Sequence, residues 1–290
     1  MPVGPLTSRD LGRGPLAPTA EPLAAAGTGI LEFAYVCGET VLTRAFTTSP
    51  LKVLNPSHAG QSAWAYLATY GGGLVDGDTI AVHLDVGRGA AALVATQAST
   101  KVYRSPHGAA QTLLARVAND GLLVLLPDPV TCFSGARYRQ EQRVLLDSGA
   151  SLVLVDRLTA GRIDFGERWL FEEYNSRMLI WRGDRLVLHD AFSLTRDEGD
   201  VARRLDRFNC LAAIVLVGPL LAATAAHLVD VFRSAPVIDR ADVLVSAAPL
   251  GDDGALLRFA SCSTEQIAVA LRQHLGILIP LLGDDPWIGK

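Results

Sequence analysis

Several features that mark common protein classes are scarce in this sequence of 290 residues. It has only four cysteines, which lie far apart and form no CxxC pair, so a disulfide framework is not expected. The plain interpretation is reduced, mostly buried thiols in a cytoplasmic protein. Its net charge of −4 also lacks the basic excess typical of proteins that bind nucleic acid.

Long apolar segments are scarce as well. The uncharged stretch 208–229 reaches the length of a membrane span, but Gly218 and Pro219 interrupt it in the middle. A buried strand followed by a helix explains this stretch better, so no membrane partner is expected. Residues 1–28 are rich in proline, glycine and alanine and show no apolar core of the signal-peptide type. We expect them to form a flexible N-terminal lead-in.

The sequence also lacks the motifs of common catalytic sites. It contains no phosphate-binding G-x-x-x-x-G-K-[ST] motif and no G-x-S-x-G, and no two histidines lie within four residues of each other. The glycine-rich stretch 70–79 lacks a lysine and precedes a predicted strand. It is therefore predicted to be a turn, with Asp78 as a turn former.

Most of the chain has the pattern of β-structure. From about residue 31 to about 194, short alternating or apolar runs are separated by glycine-rich turns, which indicates a sandwich, a barrel or a β-solenoid. No fixed-length repeat chooses among these. The predicted fold is α+β and mainly β, with a β-rich scaffold body at 29–195. A C-terminal part at 196–290 is predicted to complete the same fold with two helices and a hairpin.

The helical predictions rest on spacing and capping. Apolar residues recur at helical intervals after Pro219, and Ser263 and Gln266 have the spacing of a capping box before a second apolar stripe. Pro280 is expected to end or kink that second helix. The hairpin is predicted to turn at residues 251–254.

Acidic side chains are the remaining candidates for chemistry, and spacing alone does not place any two of them together. Asp156 stands out because it follows the apolar run SLVLV, so its carboxylate must be paired, protonated or solvated. One interpretation is a structural ion pair with Arg157, Arg162 or Arg168. The other is an acidic wall for a passing hard or borderline cation.

Four ordered segments of the sequence resemble a known family. They are ATYGGGLVDGD, ATQASTKVYRS, LPDPVTCFSGARYRQEQ and SLVLVDRLTAGRIDFGERW. Together they resemble the urease accessory proteins UreD, also called UreH, and LPDPVTCF is similar to the form found in plants and fungi. Where many bacterial members carry a Gln-Glu pair, this sequence has Asp128 and Pro129.

The resemblance implies a non-catalytic scaffold with a body like a β-helix and helices at its C-terminus. Such a protein binds UreF, recruits the GTPase UreG and docks on apo-urease in a larger hetero-oligomer, a dimer of heterodimers with UreF. It implies no tightly bound cofactor but transient Ni²⁺, which travels through an internal tunnel lined by carboxylates. The acidic residues inside the matched segments are Asp128, Asp156 and Glu167, and we predict that they line this path.

The resemblance also gives a role to the other polar and glycine residues of these segments. They are predicted to be structural or partner-facing residues rather than an active site. They are Gly72, Gly73, Gly77, Asp78, Gln97, Thr100, Lys101, Tyr103, Arg104, Gly161 and Arg162.

A carbohydrate-acting enzyme with a β-solenoid fold is the alternative hypothesis. Such an enzyme places two or three carboxylates on one face of the coil, and the scattered acidic residues are compatible with that. Aromatic residues make up only 7% of the chain, and the four tryptophans form no stripe for stacking on sugars. A third possibility is a plain oligomerisation module built on the C-terminal helices.

Overall fold

Strands dominate the protein, as the pattern of the sequence predicts. The computed structural model describes residues 25–56, 60–236 and 238–287. The strands in these ranges are β1 (Thr28–Val36), β2 (Glu39–Thr47), β3 (Leu51–Leu54), β4 (Ala63–Thr69), β5 (Thr79–Val86), β6 (Ala91–Thr96), β7 (Thr100–Val102), β8 (Ala109–Val117), β9 (Leu122–Leu126), β10 (Val130–Cys132), β11 (Arg137–Leu146), β12 (Ser151–Thr159), β13 (Glu173–Arg182), β14 (Arg185–Thr195), β15 (Cys210–Val217), β16 (Val243–Pro249) and β17 (Gly254–Ser261). The helices are α1 (Val201–Arg204), α2 (Ala222–Ser234), α3 (Thr264–His274) and α4 (Leu278–Leu282). The predicted mainly β chain with helices near its C-terminus is therefore confirmed.

The strands form two large sheets. Sheet A has seven strands in the order β14-β13-β11-β8-β5-β1-β2. Sheet B runs β16-β17-β15-β12-β9-β6-β4-β3, and the short strands β7 and β10 pair beside β12. The middle strands of both sheets pair in parallel, whereas β2, β3, β14 and β15–β17 are added by antiparallel pairing.

The chain alternates between the two sheets. Residues paired between neighbouring parallel strands of one sheet are therefore separated in sequence by about one coil of the chain. In sheet A, Ile80 pairs with Gln111, Gln111 with Gln140, and Gln140 with Ser176. These separations of 31, 29 and 36 residues are unequal, which explains why the sequence shows no fixed-length repeat. A regular solenoid is not established for the whole body, because antiparallel strands extend both sheets.

A turn at Asp147 to Gly149 joins β11 to β12. The two strands do not form a hairpin, however, because β11 lies in sheet A and β12 in sheet B. The connection crosses the gap between the sheets instead.

Alternating side chains produce two apolar cores. On β12, Leu152 and Leu154 point into the core between the sheets, and Val153 and Val155 point into a second core on the outer face of sheet B. Helices α2, α3 and α4 cover that outer face. Strand β12 is therefore buried on both sides, which is why its sequence reads as a continuous apolar run.

The predicted capping box and hairpin of the C-terminal part are confirmed, and the prediction for Pro280 differs from the structure. Ser263 and Gln266 form the predicted capping box of α3, and the hairpin β16–β17 turns where the glycines predict it. Helix α3 ends at His274, before Pro280, which lies inside the short separate helix α4. None of the helices in the described ranges combines the length and the apolar character that a membrane crossing requires.

The predicted boundaries stay predictions. Residues 1–24 of the lead-in lie outside the described residues, and β1 begins at Thr28. Beyond residue 196, strands β15–β17 continue sheet B. All four cysteines are free thiols; Cys132 and Cys210 are buried, Cys262 is half-buried and Cys37 is exposed.

Candidate functional site

The four segments of the sequence that carry the resemblance lie side by side in the structure. Leu74 pairs with Val102, Val102 with Cys132, and Val130 with Leu158. Each partner comes from the next segment along the chain, so the turns of successive coils stack into one short parallel ladder. This ladder closes one side of the space between sheets A and B.

Glycines allow this close stacking. A Cβ atom at Gly73 would lie 2.6 Å from the carbonyl oxygen of Lys101 and 2.7 Å from the ring of Tyr103. A Cβ atom at Gly161, where φ is +100°, would lie 2.5 Å from the carbonyl oxygen of Glu167. Neither position has room for a side chain, so only glycine fits there without a shift of the backbone.

The other residues of these segments build turns and surface. Gly72 and Gly77 have positive φ, and the Asp78 carboxylate accepts a hydrogen bond of 2.8 Å from the backbone N–H of Val75. Lys101 and Arg104 are exposed. Thr100 lines the space between the sheets, and so does Gln97.

An aromatic and cationic stack runs along the outside of the ladder. The Tyr103 and Phe133 rings meet edge to face at 5.2 Å, and the Arg162 guanidinium lies 4.3 Å from the centre of the Phe133 ring. The ring of Phe165 is 5.3 Å from the same guanidinium and is 77% exposed. This side of the protein therefore presents aromatic rings to its surroundings, and Phe165 is the most exposed ring of the stack.

Glu167, one of the three carboxylates predicted to line the nickel path, lies at this surface. It accepts hydrogen bonds from the Arg162 guanidinium through both of its oxygens and from the backbone N–H of Ser134. The hydrogen bond from Arg162 lowers the pKa of Glu167. The Glu167 carboxylate is thus already engaged by a cation.

Asp128 is also held by an arginine. Its carboxylate accepts a hydrogen bond of 3.2 Å from the Thr96 hydroxyl and lies 3.6 Å from the Arg157 guanidinium. The side chain of Arg157 is only 9% exposed and also donates to the carbonyl oxygen of Pro127. Burial lowers the pKa of Arg157, and the charge of Asp128 counteracts this effect.

Asp156 has a different environment, because the side chains that donate hydrogen bonds to it are neutral. Its carboxylate accepts from the Gln140 side-chain amide at 2.8 and 2.9 Å and from the Ser176 hydroxyl at 3.0 Å. Burial raises the pKa of Asp156, and the hydrogen bonds from Gln140 and Ser176 counteract this only in part. Of the two interpretations of Asp156 made from the sequence, the wall of an internal space fits this geometry better than an ion pair.

Three cavities between the sheets meet at these polar residues. The turn cavity, about 120 Å³, lies against Gly72, Leu74 and Gln97. The central cavity, about 50 Å³, is lined by Thr96, Thr100, Gln111, Asp128, Gln140 and Asp156 among others. The edge cavity, about 510 Å³, is lined by Asp156, Ser176, Met178, Asp190 and Arg258 among others. Each exceeds the roughly 10–15 Å³ that one water molecule needs.

Shared lining residues show that the three cavities lie next to one another in a row. Thr96, Thr100 and Gln111 line both the turn cavity and the central cavity. Asp156 lines both the central cavity and the edge cavity. A row of polar groups therefore crosses an otherwise apolar interior. Asp156 lies between the central cavity and the edge cavity, which is the largest of the three.

Reasoning from the sequence did not find Gln111, Gln140 or Ser176. These three residues occupy one row across sheet A, in register on strands β8, β11 and β13. The signal that could have found them is a polar residue on the buried face of a strand, repeated about one coil later. That signal is visible only when the coil length is known.

These residues do not form a tight metal site. Within the part of the chain that the structure describes, no three side chains of the His, Cys, Asp or Glu type come close enough together to hold a metal ion. The carboxylates, hydroxyls and amides of the cavity row are single oxygen donors, which interact with a hard or borderline cation only weakly.

Comparisons with known proteins agree on one family. The family profile described as UreD urease accessory protein matches residues 25–288. A urease accessory protein UreD from Sorangium cellulosum is 50% identical over 91% of this chain and 84% of its own length. Urease accessory protein D of rice, subspecies indica, is 37% identical over 93% of this chain and 98% of its own, and that of Arabidopsis thaliana is 34% identical over 90% and 99%.

These relatives are named as accessory proteins, not as enzymes that act on carbohydrates. The alternative of a solenoid hydrolase or lyase is therefore set aside. The plant relatives fit the resemblance of LPDPVTCF to the plant form, and the bacterial relative shows that the likeness extends beyond plants. This chain belongs to the UreD family of urease accessory proteins, which are maturation factors and not enzymes.

Proposed function

We propose that this protein is a scaffold that delivers nickel to apo-urease in the cytoplasm, acting together with UreF and the GTPase UreG. In this proposal the row of three cavities is the path of the ion. The observation that carries it is Asp156, a buried carboxylate that has neutral hydrogen-bond donors and lies between the central and edge cavities.

The chemistry of the cavity walls suits transient passage. Ni²⁺ binds firmly to imidazole-rich sites, whereas isolated carboxylate and hydroxyl oxygens hold it only briefly. Burial raises the pKa of Asp156, so this carboxyl binds a proton more readily than an exposed aspartate does, and a proton and a cation compete for it.

The three predicted path carboxylates take different parts in this proposal. Asp156 is the principal ligand, and Asp128 contributes to the wall of the central cavity while it is neutralised by Arg157. Glu167 remains a predicted path residue, but its ion pair with Arg162 makes it the weakest ligand of the three.

The partners belong to the proposal as well. The names of the relatives assign them to urease maturation, and the exposed aromatic surface around Phe165 supports contact with other proteins. We propose a stable complex with UreF that recruits UreG, assembled as a dimer of heterodimers that then docks on apo-urease.

Co-purification tests the scaffold role. A tagged copy of the chain is co-expressed with its cognate UreF and UreG, purified by affinity and analysed by size-exclusion chromatography. A complex that elutes together supports the proposal, and a folded chain that binds neither protein contradicts it.

Urease activation tests the path. In an assay with apo-urease, the partners, GTP and nickel, Asp156→Asn is expected to lower the amount of activated urease at least about tenfold, although it still forms the complex. Glu198→Gln is the matched control, because Glu198 pairs with Arg204 at the surface. Full activation by Asp156→Asn would overturn the assignment of Asp156.

A further inference from the structure

The edge cavity opens between the outer strands of the two sheets, and one ion pair spans this mouth. The Arg258 guanidinium on β17 of sheet B lies 2.6 Å from the Asp190 carboxylate on β14 of sheet A. Both residues line the edge cavity. The ion pair therefore connects the two sheets across the opening of the largest of these three cavities.

Arg258 lies on the same inner row of sheet B as Asp156. Asp156 pairs with Ala213, and Ala213 pairs with Arg258, so only one small side chain stands between the two charged groups. Two strand spacings separate their backbones by about 10 Å. Asp190 is also near enough to contribute to the raised pKa of Asp156.

The two members of the pair differ in exposure. The Arg258 side chain is 51% exposed, whereas the Asp190 side chain is 20% exposed. A long arginine side chain that is half in solvent can swing outward without losing hydration of its charged end. The Asp190 carboxylate is held closer to the cavity wall, where it can face an ion.

We propose that Arg258 and Asp190 form a gate over the edge cavity, which opens when a divalent cation displaces the guanidinium from the Asp190 carboxylate. The gate rests on the proposed function only for the identity of that cation. While the pair is closed, its charges neutralise each other and the guanidinium covers the mouth. Once Arg258 has moved outward, the carboxylates of Asp190 and Asp156 both lie along the exit from the central cavity.

The gate makes an asymmetric prediction that a simple clamp between the sheets does not make. Loss of the arginine opens the mouth and leaves Asp190 free to attract cations. Loss of the aspartate leaves Arg258 with an unpaired positive charge at the mouth, which repels them. A clamp would respond to both losses in the same way.

Chemical modification of a thiol in the cavity tests the gate in the full chain, without nickel, urease or partners. Ala213→Cys places a thiol in the edge cavity, and Cys37→Ser removes the exposed native thiol. The rate of modification of the A213C thiol is measured by peptide mapping with a cationic and an anionic methanethiosulfonate of similar size. Failure of the gate is thereby distinguishable from failure of nickel delivery.

In this background, Arg258→Gln is expected to raise the rate with the cationic reagent about fivefold, and the rate with the anionic reagent less. This ratio corresponds to about 1 kcal/mol. Asp190→Asn is expected to lower the rate with the cationic reagent below that of the parent. Arg258→Lys keeps the positive charge and is expected to stay near the parent rate, which provides a second variant if Arg258→Gln does not fold.

Arg182→Gln is the matched control. Arg182 also joins the two sheets, through hydrogen bonds of 2.7 and 2.9 Å to Asp253, but neither residue is among those that line the edge cavity. Unchanged modification in this variant supports the gate. Equal acceleration in the Arg258 and Asp190 variants with both reagents would identify a mechanical clamp, whatever the Arg182 variant does. Unchanged rates in both variants would show that the pair does not control the mouth. Either result overturns the proposal.

Discussion

At the scale of single residues, the hydrogen-bond partners of a carboxylate decide what it can do. Asp128, Asp156 and Glu167 all lie in the segments of the resemblance, and their sequence context does not show which side chains donate hydrogen bonds to each carboxylate. In the structure, arginines engage Asp128 and Glu167, whereas Gln140 and Ser176 hold Asp156. Of the three carboxylates, Asp156 is therefore the one on which the proposed nickel path depends most.

The raised pKa of Asp156 predicts a pH-dependent cost to stability. Because its pKa is higher in the folded than in the unfolded chain, the folded state is penalised as the pH rises from the unfolded value through the folded one. Below the unfolded value both states are protonated and the penalty is absent. We expect Asp156→Asn to raise the free energy of unfolding at pH 7 by up to about 1 kcal/mol.

Urea unfolding at pH 7 and near pH 3.5 checks this prediction. The gain of the variant over the parent should shrink at the lower pH. A variant that is less stable than the parent at pH 7 would show that the carboxylate is needed for the fold. Together with lost activation, the expected result would mark Asp156 as a residue retained for function at the expense of stability.

Arg157 is expected to be structural. Its buried guanidinium serves Asp128 and the carbonyl oxygen of Pro127, so Arg157→Met leaves both groups without this donor. We expect a loss of about 3 kcal/mol in the free energy of unfolding, measured by urea titration. Arg88→Met is the control, because Arg88 and Asp120 form a pair that is mostly exposed; a similar loss in both variants would contradict the role of burial.

At the scale of elements, the stacked turns depend on close approach of backbones. Gly161 combines a positive φ with a position where a Cβ atom would lie 2.5 Å from the carbonyl oxygen of Glu167. Gly161→Ala is therefore expected to destabilise the protein by about 2–4 kcal/mol. Thermal and urea unfolding measure the loss.

Gly166 separates the two causes of that loss. It also has a positive φ, but a Cβ atom there would meet no atom within 4 Å. Gly166→Ala should lower the free energy of unfolding by about 1–2 kcal/mol, which is the cost of a positive φ for alanine. Equal costs in the two variants would show that the close contact at Gly161 contributes nothing.

At the scale of the whole molecule, the C-terminal part completes sheet B. Strand β15 pairs with β12, and α2, α3 and α4 cover an outer face that includes Trp64, Val124 and Val153. A chain that ends at residue 195 would leave this apolar face and the edge of β12 open to water. We expect such a chain to be insoluble or to bind a dye for exposed apolar surface.

Co-expression of residues 196–290 as a separate chain is the counterpart of this truncation. If the two parts form one fold, the second piece should restore solubility and co-purify with the first. A truncated chain that stays soluble, monomeric and cooperatively folded would show that residues 29–195 form an independent domain.

The sequence by itself determined the strands, the helices and the absence of common catalytic motifs, because these depend on local patterns. Alternating apolar side chains predicted the strands, and the spacing of Ser263 and Gln266 predicted the start of α3. The four segments of the resemblance were sufficient to indicate the family. The buried run before Asp156 was sufficient to single that residue out.

Only the tertiary structure decided what surrounds each of those residues. Gln140 and Ser176 reach Asp156 because strands from two different sheets face each other, and the unequal coil lengths hide that proximity in the sequence. Arg157 is next to Asp156 in sequence, yet it points to the opposite face of β12 and serves Asp128. The same alternation of side chains that makes a strand predictable separates neighbours in sequence and brings distant residues together, so the proposed path and the proposed gate can be argued only from the folded chain.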